Sequence, residues 1–175
     1  MKRTSIIIST ALAVLIALGA AGCVALPKNE IRTEAIIPAT PELIWSVLID
    51  TAGHATWNPF IVQMNGVVTE GSRLAITLEP SPGDFRTFKP KILTVTPSEE
   101  LRWLGRAGIP GVFDGEHYFL LQPTPEGTRL VHGESFSGIA LWFIDTGSFE
   151  ANFVAMNTAL AERVLEQTPE QNRTE

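Results

Sequence analysis

Hydrophobic and polar positions follow three successive regimes along the chain. Residues 4–26 form an uncharged run rich in Ile, Leu, Ala and Val, preceded by Lys2 and Arg3. From Lys28 to Ile37 a short linker runs into a first strand. Thr40-Pro41-Glu42 then marks a helix start: Thr can cap the first free N–H groups, Pro suits the first turn, and Glu meets the helix dipole. This helix runs to Ile49 and turns Leu43, Trp45, Val47 and Leu48 inward. Residues 50–58 contain Gly53 and precede Pro59, which leaves room for a short second helix at most.

Beyond Pro59 the pattern changes to short β-prone runs at 61–68, 73–79, 85–95, 101–106, 112–122 and 128–136. They are broken by Glu70-Gly71, by residues 80–83, by Pro97-Ser98, by residues 108–111 and by residues 123–127. Connections this short favour antiparallel neighbours. The chain then becomes helical again: Phe149, Phe153, Met156, Leu160 and Val164 form an apolar stripe, with Glu150, Glu162 and Glu166 left to solvent. Residues 139–144 read as an earlier turn of this helix, interrupted at Thr146-Gly147, with Trp142 and Phe143 either packed in the core or covering a cavity entrance. No internal repeat or low-complexity segment occurs.

Several short stretches carry a family resemblance. They are Trp57-Asn58-Pro59-Phe60, Leu101-Arg102-Trp103, Phe113 through Gly115-Glu116-His117 to Phe119, Gly127-Thr128, residues 132–138, and Phe153 through Met156-Asn157 to Leu160. Together they resemble the SRPBCC superfamily, which groups START-like, polyketide cyclase/dehydrase and lipid-transport proteins sharing the fold of the birch pollen allergen. The resemblance spans residues 31–166. It implies an α+β helix-grip fold, with a curved antiparallel sheet of about seven strands wrapped around a long C-terminal helix and two short helices after the first strand. It also implies a cavity between sheet and helix, and brings no shared catalytic residues.

Strand alternation gives a separate view of that cavity. Phe113, Gly115, His117, Phe119 and Leu121 share one face, and Leu130, His132, Glu134 and Phe136 share another. If the turn at 123–127 pairs Leu121 with Leu130, then Phe119 lies opposite His132 and His117 opposite Glu134, within hydrogen-bond reach. Such a pair reads in three ways: a satisfied buried polar pair, an anchor for the polar group of an apolar ligand, or a general acid/base couple. His117, His132 and Glu134 also offer two imidazoles and a carboxylate. The resemblance requires no metal, however, and neither metal nor cofactor is expected. Trp103, Phe119, Phe136, Phe153, Met156 and Asn152 complete the candidate cavity lining. Trp57 is expected as a core anchor, Asn58 as a turn residue, and His54 as exposed.

Composition sharpens the picture of the N-terminus. Eighteen of the first 26 residues are apolar, so the mean hydropathy of +0.15 owes much to this segment. The remaining residues have the composition of one ordinary compact domain. The basic start, apolar run and Ala20-Ala21-Gly22-Cys23 resemble a bacterial lipoprotein signal, with lipid attached at Cys23. An uncleaved membrane anchor and ordinary signal cleavage are the alternatives. The domains are therefore residues 1–26 as signal or anchor, 27–168 as an SRPBCC/START-like domain, and 169–175 as a polar tail. The expected location is the extracytoplasmic side of the cell membrane, with membrane contact through the N-terminus only. A net charge of −6 without a Lys/Arg cluster argues against nucleic acid. The single Cys excludes an intramolecular disulfide. The leading expectation is binding of a small hydrophobic, lipid-like or polyketide-like ligand; the alternatives are a cyclase or dehydratase using His117 and Glu134, and a ligand-free interaction module.

Overall fold

The computed structural model describes residues 25–167. Cys23, nearly all of the proposed signal and the polar tail therefore lie outside the described residues. The chain opens with strand β1 (Lys28–Ile37), helix α1 (Pro41–Ile49) and the single turn α2 (His54–Trp57). The Thr40 hydroxyl accepts from the Leu43 amide, as the capping pattern predicts. Ile44, Trp45, Val47 and Leu48 are the buried residues of α1.

Strands β2 (Ile61–Asn65), β3 (Ala75–Leu78) and β4 (Arg86–Phe88) follow, then β5 (Lys91–Thr96), β6 (Glu100–Ala107), β7 (Phe113–Thr124) and β8 (Gly127–Ser137). They form two antiparallel sheets: five strands in the order β1-β8-β7-β6-β5, and three in the order β2-β3-β4. Among the described residues there are thus eight strands in two sheets where about seven in one were expected. The difference arises at Lys89-Pro90, where the run from 85 to 95 divides into β4 and β5. Proline has no N–H for a ladder. The Pro90 carbonyl instead accepts from Leu74, and Ile92 exchanges backbone hydrogen bonds with Gly71 and Ser72, joining the small sheet to the edge of the large one.

After β8 a 3₁₀ turn (Ile139–Trp142) leads to helix α3 (Phe149–Gln167). Helix α3 packs against β1, α1 and β8. It buries Phe153, Met156, Asn157, Leu160 and Val164. Long helix and curved sheet give the helix-grip α+β architecture. None of the 3₁₀ residues is buried. Trp142 and Phe143 are 59% and 88% exposed, so they are not core residues. Backbone bonds from Ile139 and Ala140 to the Gly111 and Val112 carbonyls hold the turn on the rim of the sheet.

His54 also departs from expectation, being buried rather than exposed. Its Nε2 bonds the Leu48 carbonyl at 3.0 Å and its Nδ1 meets Asn58 Nδ2 at 3.1 Å. Asn58 Oδ1 accepts from the amides of Phe60 and Ile61 at 2.9 and 2.8 Å. This linkage turns the chain from α2 into β2. Trp57 is half-buried and packs on the core.

Candidate functional site

The β7-β8 hairpin pairs Leu121 with Leu130, Phe119 with His132 and His117 with Glu134, in the register that the turn predicts. Both imidazoles thereby face the helix. His132 is enclosed between Phe119 and Phe153, with ring centroids 4.5 and 4.3 Å away. His117 stacks on Trp103 at 4.8 Å, nearly parallel. Both are almost completely buried, where an unpaired polar group costs roughly 1–3 kcal/mol.

A single chain of hydrogen bonds satisfies them, and its direction follows from a backbone carbonyl at one end. The Thr33 hydroxyl donates to the His132 carbonyl at 3.0 Å. Thr33 Oγ1 therefore accepts from Asn157 Nδ2, at 2.9 Å. That orients Asn157 Oδ1 toward His132 Nδ1, at 2.7 Å, so Nδ1 carries the proton. Neutral His132 is then an acceptor at Nε2, which lies 2.9 Å from His117 Nε2; His117 donates there. His117 Nδ1 becomes an acceptor in turn, 3.3 Å from Glu134 Oε2. The last link closes when the Glu134 carboxyl is protonated and donates.

Electrostatics point the same way. Burial lowers the His117 pKa to about 3 and raises that of Glu134 to about 8. His132 is held well below the usual imidazole range, first by burial and then by neighbouring His117. Neutral imidazoles and a neutral carboxylic acid are the protonation state that the chain requires. Glu134 Oε1 is then left as an acceptor.

This outer end opens into a cavity of about 80 Å³ between the two sheets. Trp103, Gly105, His117, Glu134 and Phe136 line it from the large sheet, Ile76, Leu78 and Phe88 from the small one, and Phe60 and Phe149 from the helical side. The lining ends at Arg106 and Ala107, both exposed. Gly115 leaves the carboxyl its place: a Cβ there would run into Glu134 Oε1, and the carboxyl would have to move. Gly105 leaves a void of another kind, since its nearest neighbour would be the Gly115 carbonyl at 3.8 Å.

Of the residues expected on the wall, Trp103, His117, Glu134 and Phe136 line this cavity. Phe119, Phe153, Met156 and His132 do not; they are fully buried where α3 fills the space beneath the sheet. Asn152 also stands outside it, donating to the Pro80 carbonyl at 3.4 Å. Thr33 and Asn157 belong to the polar chain but are absent from the sequence-based candidates. Each had a signal: Asn157 lies four residues after Phe153 on the apolar stripe, and Thr33 alternates with Ile31 on the inner face of β1. Among the described residues no three His, Cys, Asp or Glu side chains gather as a metal-ligand set.

The helix-grip domain thus holds a mostly apolar cavity, with His117 and Glu134 at one end and Arg106 at the exposed end, the kind of lining that small-ligand pockets have. The sequence profile of the family described as polyketide cyclase / dehydrase and lipid transport matches residues 28–168, and the chain belongs to that family. Among solved structures, it is similar to the Zhui aromatase/cyclase from Streptomyces sp. R1128, with TM-score 0.66, 14% identity, and coverage of 83% of this chain and 99% of that one. It is also similar to norcoclaurine synthase from Thalictrum flavum in complex with dopamine and hydroxybenzaldehyde, with TM-score 0.62, 18% identity, and coverage of 84% and 92%. Protein CV1439 from Chromobacterium violaceum matches with TM-score 0.64 and 21% identity over 78% of this chain and 97% of that one. At these identities the likeness is one of fold. No curated protein matches the sequence.

The pKa shifts set the pH dependence of stability. His54, His117 and His132 all have lowered folded pKa values, so they bind protons in the unfolded chain near pH 6.5 but not in the folded one. Stability therefore falls as pH drops below 6.5. Glu134 has the opposite sign: the folded state retains its proton from 4.5 to about 8, and the stabilisation disappears as pH rises through that range. Three histidines outweigh one carboxyl below 6.5, which puts the maximum near 6.5. Glu134 alone contributes a loss of about 1–2 kcal/mol from pH 6.5 to 8, which the tail of the three histidine titrations partly offsets. Denaturant titrations should therefore show the wild type declining by that amount relative to a variant without this carboxyl. Glu134→Gln, whose amide can still donate to His117, should abolish that decline. An unchanged decline in the variant would assign it to another group.

Proposed function

We propose that the domain binds a small, mostly apolar ligand carrying one hydrogen-bond-donating group, a hydroxyl or an amine, and holds it outside the cytoplasm at the cell membrane. The observation carrying the ligand reading is the geometry at Glu134. In a mostly apolar cavity, the protonated carboxyl donates a hydrogen bond to His117 and keeps Oε1 as an acceptor. A ligand O–H or N–H satisfies that acceptor, while Phe136, Phe149 and Leu78 offer apolar contact. Family membership supports a small hydrophobic ligand.

The cavity is small beside the roughly 300–1,000 Å³ of common ligand sites, so a sizeable ligand requires the three-stranded sheet to move from the five-stranded one. Gly105→Leu tests the reading, because the new side chain fills the void without backbone strain. Native mass spectrometry of the full chain, with titration of phenols and long-chain alcohols, should show binding weakened by at least about tenfold, or ~1.4 kcal/mol. The melting temperature should hold or rise. Equal binding by the filled variant would place the ligand elsewhere.

One observation favours a catalytic reading as the alternative. A carboxylic acid retaining its proton at neutral pH and backed by an imidazole is suited to general-acid chemistry, such as loss of a hydroxyl as water. If so, Glu134→Gln abolishes turnover of a hydroxylated substrate and leaves its binding nearly intact. Unaltered turnover would reject Glu134 as the acid.

The location rests on the uncharged run at 4–26 and the small residues before Cys23. Cells given a clickable fatty acid should label the wild-type chain but not Cys23→Ala. Equal labelling of both would remove the lipid anchor.

A further inference from the structure

Three segments converge beside the point where the described chain begins. Gly138 donates to the Pro27 carbonyl at 3.2 Å, Ile139 donates to the Gly111 carbonyl at 3.0 Å, and Asn29 bonds Thr146 at 2.6 Å. A Cβ on Gly111 would lie 3.5 Å from the Leu26 side chain. Around this junction Leu26, Ile109, Ile139, Trp142, Phe143 and Ile144 are exposed, Ile109 and Phe143 by 71% and 88%. Such a concentration of large apolar side chains on a solvent-exposed face marks an interaction site.

We propose that this patch is a membrane-docking surface, inserted into the interfacial zone of a lipid bilayer. The inference rests on the membrane-tether reading of residues 1–26 and goes beyond it, because the folded domain itself then touches lipid. The position of the patch selects the bilayer. The uncharged run ends at Leu26, a patch residue, and Pro27 is already hydrogen-bonded to Gly138. A domain attached there, no more than three residues from a lipidated Cys23, is held within about 10 Å of the membrane. Trp and Phe are the side chains suited to the headgroup boundary. The acidic net charge makes apolar insertion, rather than attraction to anionic lipid, the source of adhesion. Arg106 and Ala107, at the exposed end of the cavity lining, precede the loop that carries Ile109. Docking thus sets the cavity beside the bilayer.

The test uses the full chain in zwitterionic phosphatidylcholine vesicles. Flotation reads the tether, and quenching of tryptophan emission by brominated acyl chains reads the docking. Trp45 and Trp103 are buried and Trp57 is half-buried, whereas Trp142 is exposed. The expected result is a floating protein with a quenched component that is missing in Trp142→Phe and persists in high salt. Phe143→Ser/Ile144→Ser, at exposed positions, should lose more than half of that quenching while still floating. A floating wild type whose Trp142 is not quenched overturns docking and leaves the tether intact. Cross-linking of Trp142 faces between copies, without quenching, would replace the bilayer by a second chain. A chain that does not float overturns tether and docking together.

Discussion

Two imidazoles buried among aromatic rings impose the constraint on which this structure depends. Each neutral ring has one donor and one acceptor, and leaving either unmet in such surroundings costs more than most single contacts provide. Thr33 on β1, His132 on β8 and Asn157 on α3 solve the problem as a closed circuit. The hydroxyl returns to the carbonyl of the residue whose ring begins the path. The long helix is thus fixed to the sheet by directional bonds as well as by apolar burial. The same circuit leaves His132 with one free lone pair, and that fixes the polarity of His117 and Glu134. Fold stability and the chemistry of the cavity end share one hydrogen-bond path.

The two halves of the space beneath the sheet differ because different side chains occupy them. On one side Phe119, Phe153, Met156 and Leu160 are completely buried and leave no room. On the other, Gly105 and Gly115 stand opposite each other in the β6-β7 ladder, where bulky residues would have closed the gap. Gly115 admits the Glu134 carboxyl, and Gly105 leaves space in front of it. A helix-grip domain fully packed at this point would bury Glu134 without access. The glycine pair leaves the carboxyl bordering a cavity rather than sealed in the core.

Periodicity made much of this legible. The hairpin at 123–127 determines the register, and alternation along β7 and β8 then brings His117 to Glu134. What alternation cannot distinguish is inward-facing from cavity-facing, which is why Phe119 and His132 look like wall residues in sequence and are core in space. A stripe read from apolar residues passes over Asn157, although its spacing from Phe153 places it on the same face of α3. His54 was misplaced for a related reason: in a short irregular segment no period reports burial, and its partners at Leu48 and Asn58 come from local turns. Pro90 is a local reason for the strand to break, but the bonds of Leu74 to Pro90 and of Ile92 to Gly71 and Ser72, which join the two sheets, are tertiary and no local pattern encodes them.

The loop between β6 and β7 ties the cavity to the apolar rim. The Gly111 amide donates to Asp114 Oδ2 at 3.1 Å, and Asp114 Oδ1 faces Arg106 Nε at 3.3 Å. Arg106 belongs to the cavity lining, while Gly111 accepts from Ile139 at the start of the exposed 3₁₀ turn. A displacement of that turn therefore acts on the loop through a backbone hydrogen bond, and on the cavity mouth through one carboxylate. Across the cavity, the small sheet is held to the edge of the large one by backbone bonds at residues 71–74 and 90–92, which leaves β2 and β4 outside the five-stranded ladder. The physical route for enlarging so small a space is consequently separation of the sheets. The His117-Glu134 end, anchored through His132 to β1 and α3, stays fixed to the five-stranded sheet and the helix.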